Sequence, residues 1–229
     1  MATAIVTGSS SGIGEAISRM LLEEGYNVIG LSRRSGEIEH PAFRHIQCDL
    51  SKADAIETIK TELLAIKDLK LLINCAGFGR FEPHEELSPQ TITEMIAVNL
   101  TAPLLLTNLL LRPLKALKGI IINITSIEAT RHAKFSALYT ATKSGLHAFG
   151  HTLFEEVRNS GVSVVTINPD MTETPFFEDL RFGVGESDEV KLFASDIAEA
   201  VHNLLSMRQG LSITELTIRP QRFGITKKR

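Results

Sequence analysis

The sequence predicts an α/β protein: a doubly wound sheet of about seven parallel strands with helices on both faces, three layers in all. Three observations carry that class. Short apolar, β-branched runs alternate with longer stretches whose apolar residues recur at helical spacing, from one end of the 229-residue chain to the other. Strands separated by helices pair in parallel through right-handed crossovers, which puts helices on both faces of one sheet. Small or polar residues then follow nearly every strand, at the edge where such sheets bind ligands. No repeat, low-complexity tract or linker interrupts the pattern, so residues 1–229 read as a single domain.

Taken in order, Ala4-Ile5-Val6 is the first strand, and Thr7 to Gly14 is a glycine-rich turn into a helix carried by Ile13, Ala16, Ile17, Met20 and Leu21, with Gly25 as its stop. Asn27 to Ser32 is the second strand. Phe43 to Gln47 is the third, ending at Cys48-Asp49-Leu50, and Ala53 to Ile66 is helical through Ile56, Ile59 and Leu63. Leu71-Leu72-Ile73 is a buried strand that ends in Asn74-Cys75-Ala76-Gly77. Ser88 and Pro89 suit the cap and first position of a helix running to about Leu111, with a bend or break expected at Pro103. Gly119 to Ile124 is the fifth strand, Phe135 to Asn159 a long helix, and Val162 to Ile167 the sixth strand, ending at Asn168-Pro169-Asp170. An irregular stretch follows, with residues 174–194 as a substrate-loop region. Ser195 is then expected to cap a helix through Leu205, and Ile213 to Ile218 closes the sheet.

Composition narrows the function classes. With 43% hydrophobic and 22% charged residues the chain can bury a sizeable core. A net charge of -3 leaves no extended basic field, so no nucleic-acid partner is expected, and Lys227-Lys228-Arg229 reads as a solvated tail. Cys48 and Cys75 do not suggest a disulfide framework, and a reducing cytoplasm is the expected location. No apolar run approaches the ~20 residues of a membrane span, and Met1 to Val6 lacks a charged leader, so no membrane is expected. No metal is expected.

The chemistry-bearing residues cluster at strand ends. Glycines between a strand and a helix permit close backbone approach, and the open amides of a helix start attract a diphosphate. Ser32, Arg33 and Arg34 stand after the second strand, where a carboxylate would take a free ribose 2′-hydroxyl and an arginine a 2′-phosphate, so the pattern points to NADP(H) over NAD(H). Small residues at Ala76 and Gly77 leave space for a flat ligand. Tyr139 and Lys143 are four apart, hence on one helix face. A tyrosine ionises near ~10, and a neighbouring cation lowers that value, which equips such a pair to pass a proton. For this spacing alone, a core tyrosine with a solvated lysine one turn on is the commoner arrangement.

The motifs Thr7-Gly8-x-x-x-Gly12-Ile13-Gly14, Asp49, Asn74-x-Ala76-Gly77, Asn99, Ser126, Tyr139-x-x-x-Lys143 and Asn168-Pro169 with Thr174 occur in one order, with Ser126 13 residues before Tyr139. On these residues the chain resembles the short-chain dehydrogenase/reductase family, in its short single-domain branch with a Rossmann-type fold, over nearly its whole length. The resemblance implies a catalytic tetrad. Tyr139 would be general acid or base, Lys143 would lower its pKa and bind the nicotinamide ribose, Ser126 would hydrogen-bond the carbonyl oxygen, and Asn99 would hold a water linking Lys143 to solvent. It also implies a cofactor site. Gly8, Ser9, Ser10, Gly12, Ile13 and Gly14 would lie at the diphosphate, Ser32, Arg33 and Arg34 at the 2′-phosphate, Asp49 and Leu50 at the adenine. Asn74, Ala76 and Gly77 would run along the ribose and adenine side, and Pro169, Thr172 and Thr174 beside the nicotinamide.

Two departures stand out: Asp170 replaces a usual glycine, and Ser11 stands where many NADP-preferring members carry a basic residue. The expected reaction is hydride transfer between NADP(H) and a carbonyl or secondary alcohol. Alternatives are a 3-oxoacyl thioester reductase, although the C-terminal strand lacks that group's glycine-rich ending, and a non-catalytic NADP-binding sensor or scaffold. Phe78, Ile127, Glu128, Thr130 and Phe135 are candidate pocket residues. A homodimer or homotetramer is expected, formed through the helices around Ser88 to Leu111 and Phe135 to Asn159.

Overall fold

The computed structural model describes residues 1–228. Its seven-stranded central sheet is parallel throughout, as expected, with the order β10-β6-β5-β4-β1-β2-β3. These strands are β1 (Thr3–Thr7), β2 (Asn27–Ser32), β3 (Phe43–Gln47), β4 (Leu69–Asn74), β5 (Ile120–Ile124), β6 (Ser163–Pro169) and β10 (Glu215–Ile218). Strand alternation divides the core between the two faces. Ile5 and Leu72 point to the side of α2 (Ala53–Leu64), α4 (Ala102–Ala116) and α5 (Ala137–Val157), while Ala4, Val6 and Ile73 meet α1 (Gly12–Glu23) and α6 (Ala194–Leu205). The strand order reverses between β1 and β4, so their carboxyl ends diverge and open a crevice.

Several boundaries differ from expectation for local reasons. Ser88 caps α3 (Pro89–Ile96) as expected, its hydroxyl accepting from Thr91 N–H at 3.0 Å. Pro103 does not break the helix. A π-helical stretch at Ala97–Thr101 absorbs its missing donor, and α4 continues past Pro113 to Ala116. The continuous helix Pro89–Ala116 is thus longer than expected and, by length and apolarity, long enough to cross a membrane. Its buried residues, among them Met95, Leu106, Leu110 and Leu114, are core-forming, which accounts for the apolar side. Helix α5 begins two residues late because Phe135 has a φ of 66°, outside helical space. Asn159 lies in a 3₁₀ turn after α5 rather than inside the helix. Ser195 does not cap α6; the Asp196 carboxylate accepts from the Phe193 N–H at 2.8 Å and closes that end. Residues 213 and 214 lie outside β10.

The stretch expected to be irregular is organised by two small ladders. The first is parallel, between β7 (Thr172–Glu173) and β9 (Leu192–Phe193). The second is antiparallel, between β8 (Phe182–Val184) and β11 (Ile225–Lys227). The expected solvated tail is therefore structural. Lys227 belongs to β11, and Lys228 donates its N–H to Arg181 O at 2.9 Å and its ammonium to Phe177 and Glu178 carbonyls. Arg229 lies outside the described residues.

Candidate active site

The glycine turn fills the β1 end of the crevice. Gly8 has a φ of 71°, and a Cβ at Gly14 would sit 2.3 Å from the Gly8 carbonyl oxygen, so the turn closes only with glycine at position 14. Ser11 occupies the N-cap of α1 but gives the helix no side-chain cap. The first-turn amides therefore receive no acceptor from the cap side chain. Gly12 faces Thr174 across the crevice, and Ile13 stands in the wall of the adjoining pocket. Thr7 ties the β1 and β4 ends together: its hydroxyl accepts from the N–H groups of Cys75 and Ala76, both at 2.9 Å.

Not every residue assigned to the cofactor turns toward it. Ser9 is fully buried with its hydroxyl unpartnered, in space left by the missing side chain of Gly30. Ser10 is half-buried, with Gly36 close against its Cα. Ser32 spends its hydroxyl on Arg34 O at 2.6 Å and on His45 Nε2 at 3.1 Å, so it shapes the turn rather than reaching outward. Arg33 and Arg34 are exposed, and among the described residues neither guanidinium has a protein partner. Asp49 lies within the field of Arg33, and its carboxyl is held below the usual range chiefly by the Ser51 hydroxyl donating to it at 2.8 Å. Leu50 points into the core.

The expectation for Asn74 fails in a specific way. Its side chain is buried in the α4 side of the sheet, donating to Asn123 Oδ1 at 2.9 Å across the β4–β5 register and to Thr107 at 3.4 Å. It secures the sheet rather than lining the crevice. Ala76 and Gly77 do follow the β4 end, and a Cβ at Gly77 would lie 3.2 Å from Lys143 Nζ and 3.3 Å from Asn99 Oδ1.

Tyr139 and Lys143 share the buried side of α5, and Ser126 begins the turn after β5 opposite them. Burial outweighs the expected cation effect on the phenol. It pushes the Tyr139 pKa well above its ordinary value, a hydrogen bond with Ser126 draws it partly back, and Glu128 pushes it further up. Lys143 donates to Ile124 O at 3.0 Å, stands 5.8 Å from the tyrosine ring centroid, and is itself lowered by burial to about 8. Asn99 sits in the π-helical stretch, where its side chain is already occupied. Its Oδ1 accepts from Phe78 N–H at 3.0 Å while Nδ2 donates to Phe78 O at 2.8 Å and to Thr142 at 3.2 Å. The amide clamps the backbone beside Gly77, a closer task than the expected water relay.

On the far side, Pro169 ends β6, and Asp170 keeps ordinary backbone geometry despite replacing glycine. Its carboxylate accepts from Met171 N–H at 2.8 Å and Arg219 Nε at 3.0 Å. Thr172 and Thr174 spend their hydroxyls on the carbonyls of Asp170 and Thr172. Between this edge and α5 lies a cavity of about 360 Å³. Ser126 and Tyr139 lie in its wall with Ile127, Glu128 and Phe135, whereas Phe78 and Thr130 do not.

Matching the short chain dehydrogenase family, residues 2–183 carry its pattern in order. The chain belongs to the short-chain dehydrogenase/reductase family. Uncharacterised oxidoreductases of Staphylococcus epidermidis and Staphylococcus aureus are 32% and 31% identical to this dehydrogenase/reductase, over 95% of its chain and 96% of theirs. Its structure superposes on an alcohol dehydrogenase of the archaeon Thermococcus sibiricus complexed with 5-hydroxy-NADP, with a TM-score of 0.85, 28% identity and coverage of 98% and 99%. A metagenomic short-chain oxidoreductase in complex with NADP gives 0.78 at 32% identity, covering 96% and 97%. A 3-ketoacyl-(acyl-carrier-protein) reductase of Brucella melitensis complexed with NADH gives 0.83 at 25%, covering 95% and 96%.

The residues of this oxidoreductase fit a nicotinamide dinucleotide: a helix start without a side-chain cap and a glycine cradle that a Cβ would fill lie at one crevice, and two exposed arginines, without a protein partner among the described residues, follow β2. Of the pocket's aromatic wall, Phe135 and the expected substrate loop with Phe176, Phe177 and Phe182 were legible in the sequence, whereas Phe81 and Phe223 were missed. Phe81 and Phe176 approach the Tyr139 ring at centroid distances of 5.2 and 5.8 Å, Phe182 stacks edgewise on Phe81, and Phe223 and Ile225 arrive from β11 and the turn before it. The only local signal for the last two was an aromatic and a β-branched residue near a terminus read as solvated.

Proposed function

We propose that this dehydrogenase/reductase uses NADPH to reduce the carbonyl of a bulky apolar ketone or aldehyde. The observation that carries the reading is the convergence of Tyr139 and Ser126 on one wall of a phenylalanine-lined cavity, one helical turn from Lys143. NADPH, when bound, supplies the hydride. Tyr139 then donates its phenolic proton to the carbonyl oxygen while the Ser126 hydroxyl hydrogen-bonds the same oxygen. A buried phenol whose pKa is pushed up stays protonated at neutral pH, which suits the proton donor of a reduction. The Ile124 carbonyl holds Lys143, the Asn99 clamp positions the backbone beside Gly77, and Phe81, Phe176 and Phe182 exclude water from the reacting side.

The NADPH preference rests on Arg33 and Arg34, exposed after the end of β2 and without a partner among the described residues, with no carboxylate in the acceptor position. Losing one charged hydrogen bond to a phosphate costs about 1.5 to 3 kcal/mol, so Arg33→Ser should reduce the preference roughly ten-fold or more. Dissociation constants for both cofactors test it, and tighter NADH binding by the unaltered protein defeats it. Arg131 and Lys134 in the pocket wall favour a second reading, a 3-oxoacyl thioester as substrate. NADPH oxidation measured across apolar ketones, aldehydes and 3-oxoacyl thioesters separates the two; tight NADPH binding with no turnover on any of them would leave a sensor. Exposed Ile96, Leu105 and Ala148 on the long helices support assembly as a dimer or tetramer. Ala148→Glu should then lower the mass seen by light scattering, and a fully active species at 25.1 kDa would end that proposal.

A further inference from the structure

Away from the crevice, α5 presents two more polar side chains in register with its active-site pair. Tyr139, Lys143, His147 and His151 follow one another at intervals of four, and the last two emerge where α5 crosses the edge strand β10. There they meet Glu215. His147 Nε2 lies 3.2 Å from Oε1 of the carboxylate, His151 Nε2 lies 3.1 Å from Oε2, and the two imidazole centroids are 4.5 Å apart. One ligand atom from each residue can be chosen so that all three lie within 4.8 Å of one another.

We propose that His147, His151 and Glu215 bind a divalent transition-metal ion of the Zn²⁺ class, tying the helix that carries Tyr139 and Lys143 to the sheet edge. Metal bonds of about 2.0 to 2.1 Å at tetrahedral angles separate neighbouring ligand atoms by roughly 3.3 Å. Each imidazole nitrogen stands at about that distance from a different carboxylate oxygen, so a shared ion takes both oxygens or one after a small rotation of the carboxylate. Two histidines four apart on a helix, joined by a carboxylate from another element, form a three-ligand set with a fourth position open to water. Both histidines lie within ion-pair distance of the carboxylate, but only His147 makes a hydrogen bond to it. His151 Nε2 is buried and makes no hydrogen bond despite its 3.1 Å approach to the carboxylate, an alignment that suits a shared cation better than an N–H donor. The carboxylate is also oriented from behind: Asn168 Nδ2 donates to Glu215 Oε1 at 2.7 Å, and the Asn168 side-chain oxygen Oδ1 accepts from the Thr125 hydroxyl. Among the described residues no lysine or arginine pairs with Glu215, so no resident cation competes. Neither histidine nor Glu215 lines the 360 Å³ cavity, which makes the ion a structural tie rather than part of the reaction.

The full-length protein, stripped with a chelator and titrated with Co²⁺, tests this directly. We expect one equivalent to bind with the visible d–d absorption of a tetrahedral ion, Zn²⁺ to displace it, and the thermal midpoint to rise by several degrees. His151→Gln and His147→Gln should each lose the spectrum and the thermal response, while His202→Gln on α6 should keep both. Absence of Co²⁺ binding at micromolar metal, or an unchanged spectrum in both histidine variants, overturns the proposal. If a variant fails to fold, Glu215→Gln supplies the same comparison through a ten-fold or greater loss of Co²⁺ affinity.

Discussion

The two sides of the crevice are built by opposite means. The dinucleotide side is backbone: a glycine turn, strand ends and an uncapped helix start, each specified by a few adjacent residues. The substrate side is side chain: Phe81, Tyr139, Phe176, Phe182 and Phe223 meet from four separate stretches of sequence. The difference teaches that a shared cofactor can be bound by a portable local motif, whereas substrate shape depends on how distant segments pack. Changes on the first side should therefore alter cofactor binding for every substrate. Changes on the second should alter one substrate against another.

The sharpest way to test this division is the residue that belongs to both sides. Tyr139→Phe keeps the ring against Phe81 and Phe176 but removes the proton, so turnover should fall by about 10² to 10⁴-fold with little change in NADPH affinity. Undiminished carbonyl reduction in that variant rules out the mechanism. Next in size is Gly14→Ala, whose methyl would collide with the Gly8 carbonyl oxygen. Relieving such overpacking costs about 1 to 3 kcal/mol, to be read as a lower melting temperature and weaker binding of NADPH and NADH alike. Tolerance of alanine there, with native cofactor affinity, means the turn is not the binding cradle.

A pH titration probes Lys143. In the cofactor-free protein its ammonium is lowered to about 8 from an ordinary 10.5, so it loses its charge as pH rises through 8. Affinity for an anionic dinucleotide should fall above that pH by at most about ten-fold per unit, since one proton is involved, and the slope should vanish in Lys143→Met. The same group acts on stability with a definite sign. Between about 8 and 10.5 the unfolded chain holds this proton and the folded chain does not, so the lysine contribution to stability rises across that window. Melting curves of wild type and Lys143→Met should converge as pH rises through it; parallel curves contradict the assignment.

The smallest expected effect is the most selective. Ile225→Asp places a charge in β11 beside the pocket and weakens its pairing with β8. Michaelis constants for bulky apolar carbonyls should rise several-fold, those for small ones less, and the NADPH dissociation constant should stay unchanged. A uniform loss across substrates and cofactor would instead mean that β11 supports the whole fold, erasing the contrast between the two sides.

The sequence alone determined the parallel α/β class, the position of nearly every sheet strand, the glycine turn and the Tyr139–Lys143 spacing. Each of these is written within one element or one turn, where backbone geometry and helical periodicity act over a few residues. Tertiary structure decided the rest. It turned Asn74 into a partner of Asn123, buried Ser9 beneath Gly30, converted a proline-induced break into a π-helical stretch that aims Asn99 at Phe78, and made the tail a strand of the pocket. It also set the direction of the Tyr139 shift, since burial depends on Phe81 and Phe176 closing over the phenol, and the free energy of removing a charge from water exceeds what the Ser126 hydrogen bond returns. Such outcomes follow from contacts between residues far apart in the chain, which no local periodicity encodes.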